Sequence, residues 1–302
     1  MNRRLDFIIY GAILILTIIL VRDLINFSNI LKYYPLHMED LCNHIPKVLF
    51  LKEYGFYGNV PNWYNGFILF KSYPPGWALF TYLFYYLSNN LLLATFLSLI
   101  STYILGFIGF FVLGKIIKIS IKNRILIFLL FFANPLAIIY IRMGRLPELF
   151  SWVVFLFLFI GVLFYKDKRI NWKFFMFVFI SSFLLLTHIY TFIISLFVLL
   201  SFFLVKKNKG KFLITLFLII TFLLTMFWWK PFLDMSSVGP NPNSSRIEFL
   251  SLGFSLQALF SFNTIILIGW FLIFYFYWVS NGKNKRDLLF YSPILFLSLM
   301  LI

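Results

Sequence analysis

The chain has 302 residues, 62% of them hydrophobic and only 12% charged, with 43 phenylalanines and a mean hydropathy of +0.94. Such a composition excludes a soluble domain, and without sustained period-2 alternation it excludes a transmembrane β-barrel, leaving an all-α polytopic helical bundle. The net charge of +16 comes from basic clusters between apolar runs, so it reads as membrane topology: the expected partners are membrane lipids, not nucleic acid.

The N-terminus reads MNRR and then an apolar run from Phe7 to Val21, followed by Arg22-Asp23 where a cleavage site would need small residues. It predicts an uncleaved first helix crossing at about 5 to 27. Next comes a long connection, about 28 to 72, mixed in charge and expected to carry helix of its own along the membrane. It opens with "HMEDLCNHIP", residues 37 to 46. On a helix His37, Asp40 and His44 fall on one face with Glu39 turned aside, a spacing open to two uses: divalent metal binding, or a carboxylate base with a histidine partner. The same residues also read as plain solvated loop groups. Cys42, the one cysteine of the chain, excludes an intrachain disulfide.

"VPNWYNGFILFKSYPPGWALF" then carries Trp63, Gly66, Tyr73, Pro74 and Pro75, aromatic anchors and a rigid Pro-Pro bend suited to the membrane interface. The re-entrant segment at about 73 to 88 cannot be a full crossing without reversing the orientation of everything after it, so it is expected to be a juxtamembrane or half-inserted helix.

Further crossings are predicted at about 90 to 114, 124 to 141, 146 to 165, 172 to 187, 189 to 205, 212 to 229 and 258 to 280, with a ninth beginning near 288. That makes about eight full crossings and a partial ninth in one domain, 1 to 302, whose apolar end is too short to span and is expected to be truncated. Lys115/Lys118/Lys122/Arg124, Lys166/Lys168/Arg169/Lys173, Lys206/Lys207/Lys209/Lys211 and Lys283/Lys285/Arg286 fall in alternate connections with Arg3/Arg4. All are expected in the cytoplasm of a plasma-membrane protein, with the N-terminus. The other side then holds all three histidines, among them His188, and most of the acids.

"RMGRLPE", Arg142 to Glu148, reads as a capped turn: Gly144 and Pro147 break the helix and Glu148 suits the next helix N-terminus. Arg142 and Arg145 also offer two guanidinium groups to an outer phosphate. Asp234, Arg246 and Glu248 belong to "DMSSVGPNPNSSRIE", readable as a mobile cover or a plain linker.

The order of these motifs resembles the GT-C superfamily of polytopic membrane glycosyltransferases, and within it the membrane family labelled "6-pyruvoyl-tetrahydropterin synthase-related". The resemblance is carried by Asp40 four before His44 after the first helix, by Trp63, Gly66 and Tyr73-Pro74-Pro75, by "RMGRLPE" and by "LLTHIY" with His188. It implies transfer of a sugar from a polyprenyl-phosphate donor to an acceptor at the extracytoplasmic surface. The residues it points to are Asp40 as base or metal ligand, Glu39 second, His44 orienting, Arg142 or Arg145 on phosphate, and His188 as a further polar contact. A divalent metal ion on His37, Asp40 and His44 is the candidate cofactor. The competing expectation is a non-enzymatic transporter or lipid-handling scaffold, which calls for ionisable groups at mid-membrane depth.

Overall fold

The computed structural model describes residues 3–63, 66–236 and 285–300. The predicted crossing at 258 to 280, and the candidate residues Arg246 and Glu248, lie outside them. Asp234 falls within a described helix, but its side chain does not belong to the description.

Twelve α-helices order the described residues: α1 Arg3–Ser28, α2 Glu39–Tyr54, α3 Leu69–Ser72, α4 Gly76–Ser88, α5 Leu91–Ile116, α6 Ile121–Phe132, α7 Pro135–Met143, α8 Leu146–Tyr165, α9 Met176–Thr187, α10 Ile189–Val205, α11 Asn208–Ser236 and α12 Lys285–Met300. Four regions are long and apolar enough to cross a membrane: 6–31, 91–116, 146–165 and 208–233. A fifth is α6 with α7, bent by 46°. Exposed apolar side chains such as Phe7, Leu14, Ile25 and Leu223 give these helices lipid-compatible outer faces. The protein is a helical, membrane-embedded bundle.

The crossing expected at 124 to 141 is bent in the middle by its own sequence. Asn134 accepts from the Ala137 amide as an N-cap, and Pro135 begins the new helix without an amide to donate backward, so the run stops and restarts at a new angle. The helix at 90 to 114 starts as expected, with Asn90 capping the Leu93 amide. The runs at 172 to 187 and 189 to 205 form helices shorter than a typical span.

Helix α8 is the axis of the bundle. Thirteen of its 20 residues are buried, and it packs against α5, α9 and α10. At 1.5 Å per residue its two ends stand about 30 Å apart. Gly106 of α5 lies against Val153 and Gly109 against Leu156, so α5 and α8 run parallel and their C-termini share one end.

That end collects basic charge. Lys122 pairs with Asp6, Lys166 with Asp287 at 2.6 Å and Arg286 with Asp167 at 3.2 Å. Lys206 donates to the carbonyls of Tyr165, Lys166 and Lys168, closing the negative C-terminal end of α8.

The opposite end carries the long connection. As expected it contains helix, α2, and it also contains a two-residue antiparallel pairing, Asn59–Val60 with Phe67–Ile68. Helix α4, 13 residues long, is too short to span. Its buried Trp77, Ala78 and Thr81 face neighbours, and α5 and α2 are among the helices packed on it.

Candidate functional site

Three separated stretches meet at this second end. Gly144 ends α7 in the left-handed conformation, φ +78°, and a methyl group there would stand 2.3 Å from Leu41 Cβ and 2.5 Å from the Leu41 amide nitrogen. Only glycine permits that approach of the turn to α2. As a result Arg145 Nε donates to Asp40 Oδ2 at 2.9 Å. Gly76 similarly lets the start of α4 rest on Leu186 and Thr187 at the end of α9, beside His188.

Between these contacts lies a cleft of about 580 Å³. Asp40, His44 and Lys47 of α2 line one wall; Arg145, Pro147 and Glu148 line a second; His188 and Tyr190 line a third, with Trp63 and Tyr73 at the loop side. Trp228 Nε1 of α11 donates to the Tyr73 carbonyl at 3.1 Å and Tyr57 donates to the Phe227 carbonyl at 2.7 Å, which fixes the loop to the bundle.

The electrostatics follow from burial. His44 and Lys47 are 7% and 8% exposed. Lys47 Nζ stands 3.3 Å from His44 Nδ1 and 3.4 Å from the centre of the Tyr73 ring. Burial pulls the Lys47 ammonium down to about 7, with negative Asp40 opposing. Burial, and then the Lys47 charge, hold His44 well below the usual histidine range. Burial raises the Tyr73 phenol, and Asp40 and Glu148 push the same way.

Proton accounting assigns the histidine tautomers. Ser151 donates to the Glu148 carbonyl at 2.6 Å, so Thr191, 2.7 Å from Ser151 Oγ, gives it its own proton. His188 Nδ1, 2.9 Å from Thr191 Oγ1, must then carry the hydrogen, leaving Nε2 as acceptor. In His44 the order is reversed whenever Lys47 is charged, because an ammonium can only donate to Nδ1. Burial lowers the His188 pKa, against the pull of Glu148.

Of the residues expected from sequence, Asp40, His44, Arg145 and His188 share the cleft. Two expected positions differ. Arg142 does not join them: it reaches Asp23 of α1 at 3.4 Å, because α7 ends at Met143 and the left-handed Gly144 redirects the chain before Arg145. His37 is exposed and lies two residues before α2, whose N-cap Met38 is extended, so His37, Asp40 and His44 do not lie on one helix. Asp40 is engaged by Arg145, and Lys47 Nζ stands 3.3 Å from His44 Nδ1; among the described residues no group of three His, Cys, Asp or Glu is placed to hold one ion. The backbone of Glu39 opens α2; its side chain is not described.

Sequence reasoning missed Lys47 and gave Glu148 and Tyr73 only structural roles. Lys47 stands one turn after His44 on α2, and that spacing was the available signal. Glu148 serves as both first-turn acid and cleft carboxylate. No family model, curated protein or solved structure matches the chain.

Proposed function

We propose that the protein is a membrane glycosyltransferase of the GT-C type, transferring a sugar from a polyprenyl-phosphate donor to an acceptor hydroxyl or amide. In this reading the chain crosses the plasma membrane about eight times, its N-terminus is cytoplasmic, and the cleft opens on the extracytoplasmic face. The observation that carries the proposal is the meeting of two carboxylates, Asp40 and Glu148, with two cations, Arg145 and Lys47, in one aromatic-walled cleft. A transporter would call for such groups midway along the helices; these stand at the N-terminal end of α8.

The chemistry divides among these groups. Asp40, 40% exposed, takes the acceptor proton as the acceptor attacks the anomeric carbon. The bond from that carbon to the phosphate oxygen breaks, and the oxygen leaves with the electron pair. Arg145 and Lys47 stabilise the added charge on the leaving phosphate, Arg145 also fixes Asp40, and Trp63 or Tyr190 offers a flat apolar face to the sugar.

The test is transfer of label from a panel of polyprenyl-phosphate sugars in membranes containing the full chain. Wild type should transfer, and Asp40→Asn should lose about 10²-fold or more with normal expression. Equal rates for Asp40→Asn and wild type would remove Asp40 as base. No transfer from any donor in the panel by wild type would reject the proposal.

A further inference from the structure

His188 stands at the N-cap of α10, yet its side chain makes no capping hydrogen bond there. Asp, Asn, Ser or Thr would cap the helix better, so the helix start does not account for a histidine. The ring turns instead to the side chain of Thr191, 2.9 Å from Nδ1. Thr191 continues to Ser151 of α8 at 2.7 Å, and Ser151 to the Glu148 carbonyl at 2.6 Å. Thr191 and Ser151 are 1% and 0% exposed, so solvent does not compete for the two hydroxyls. This chain of bonds has one direction, because the carbonyl at its end can only accept. It fixes the ring hydrogen on Nδ1. Nε2, on the ring edge away from buried Thr191, is left to the cleft that His188 lines.

We propose that His188 Nε2 is a fixed hydrogen-bond acceptor for a hydroxyl group of the substrate, and that Thr191 and Ser151 are positioning residues that hold the ring in the tautomer this requires. The proposal rests on the transferase reading of the cleft, to which it adds a demand for one uncharged O–H at a defined place. Burial disfavours the imidazolium more than Glu148 favours it, so the ring meets the substrate uncharged. An acceptor nitrogen attracts a hydroxyl and repels the lone pairs of an ether, ketone or carboxylate put in its place. Without that hydroxyl a half-buried acceptor is left unpaired, which is how a polar site rejects a deoxy analogue. The Tyr190 ring lies 5.5 Å from the His188 ring, centre to centre. An aromatic wall beside one placed polar atom suits a sugar, which presents both C–H faces and O–H edges.

The experiment reads the tautomer first. The chain has three histidines, so labelling histidine nitrogen in the full chain in nanodiscs gives few signals, and His188→Asn identifies the one in question. His188 should show a single neutral ring with its hydrogen on Nδ1. Thr191→Ser should keep that form, and Thr191→Val should release it to a mixture or to the Nε2–H form. A His188 ring carrying its hydrogen on Nε2 in the unaltered chain overturns the proposal, whether or not any variant folds.

Binding and transfer are then measured with the panel of polyprenyl-phosphate sugars and their single-deoxy derivatives. If the hydroxyl belongs to the donor sugar, removing it at one position should weaken binding about tenfold in wild type and bring no further loss in His188→Asn. If it belongs to the acceptor, the deoxy donors bind alike, and His188→Asn and Thr191→Val each raise the acceptor KM about tenfold with kcat nearly unchanged, while Thr191→Ser keeps the wild-type value. A panel in which neither signature is found overturns the proposal. Deoxy-sensitive donor binding with the Nδ1–H tautomer, but with no transfer from any donor, would reject the transferase reading alone.

Discussion

Arg145 Nε donates to Asp40 Oδ2 at 2.9 Å, joining two residues 105 apart in the chain. Both side chains are about two-fifths exposed, 43% and 40%, so water screens the pair and its contribution to stability is on the order of 0 to 1 kcal/mol. Its consequence is positional. It holds a carboxylate of the long connection at the N-terminal end of the most buried helix.

The pair therefore predicts a separation of stability from activity. Asp40→Asn and Arg145→Gln should each change stability by no more than about 1 kcal/mol while reducing transfer by about 10²-fold. The exchanged pair Asp40→Arg with Arg145→Asp should regain stability without regaining transfer, because the carboxylate then starts from the wrong wall. Thermal unfolding in detergent and the transfer assay measure the two quantities. A swapped pair with wild-type transfer would refute the positional role.

Gly144→Ala should be among the most damaging single changes in this region. The left-handed backbone costs an alanine about 1 to 2 kcal/mol, and its methyl group would overlap Leu41 backbone that cannot move without moving α2, adding about 1 to 3 kcal/mol. Gly55 supplies the comparison: its φ is +70°, but nothing stands within 4 Å of a methyl group there. Gly55 has ψ −167°, an extended positive-φ conformation essentially restricted to glycine, so Gly55→Ala should show a backbone cost with no added contact. A Gly144→Ala protein that loses no more than the left-handed backbone cost of about 1 to 2 kcal/mol would contradict the close approach of Gly144 to α2.

The buried Lys47 should make stability rise with pH. Its folded pKa near 7 lies below the ordinary 10.5, so between those values the unfolded chain binds the extra proton. The burden of charging a buried amine is fully present below pH 7 and fades as pH increases toward 10.5. Compared with Lys47→Met, the wild type should gain up to about 1.4 kcal/mol per pH unit in that window. Melting curves of both proteins from pH 6 to 9 would read it; parallel curves would mean the amine titrates normally.

Orientation can be checked with single cysteines in a background lacking Cys42. Asn62 and Asn208 are both exposed, the first in the connection beside the cleft and the second at the start of α11 near the basic end. A membrane-impermeant maleimide should label Asn62→Cys in intact cells and reach Asn208→Cys only after permeabilisation. The reverse pattern would place the cleft in the cytoplasm and reject the extracytoplasmic reading.

Much of this protein is legible in its sequence because the deciding forces are local. Apolar runs of spanning length, Asn90 and Asn134 as caps and Pro135 at a helix start act within a turn or two, and Asn134 with Pro135 bends the crossing expected at 124 to 141. Asp40, His44, Arg145 and His188 were also legible as unusual polar groups beside apolar segments. Which of them meet was not legible, because helical phase and close approach decide it. The left-handed break at Gly144 separates Arg142, which faces Asp23, from Arg145, which faces Asp40; the start of α2 at Glu39 leaves His37 out of register. Nothing in the sequence around Lys47 marks it as buried; the packing of α2 places its ammonium over Tyr73. A residue's type is written in the chain, but its burial and its neighbours, and with them its charge state, exist only once distant segments have closed around it.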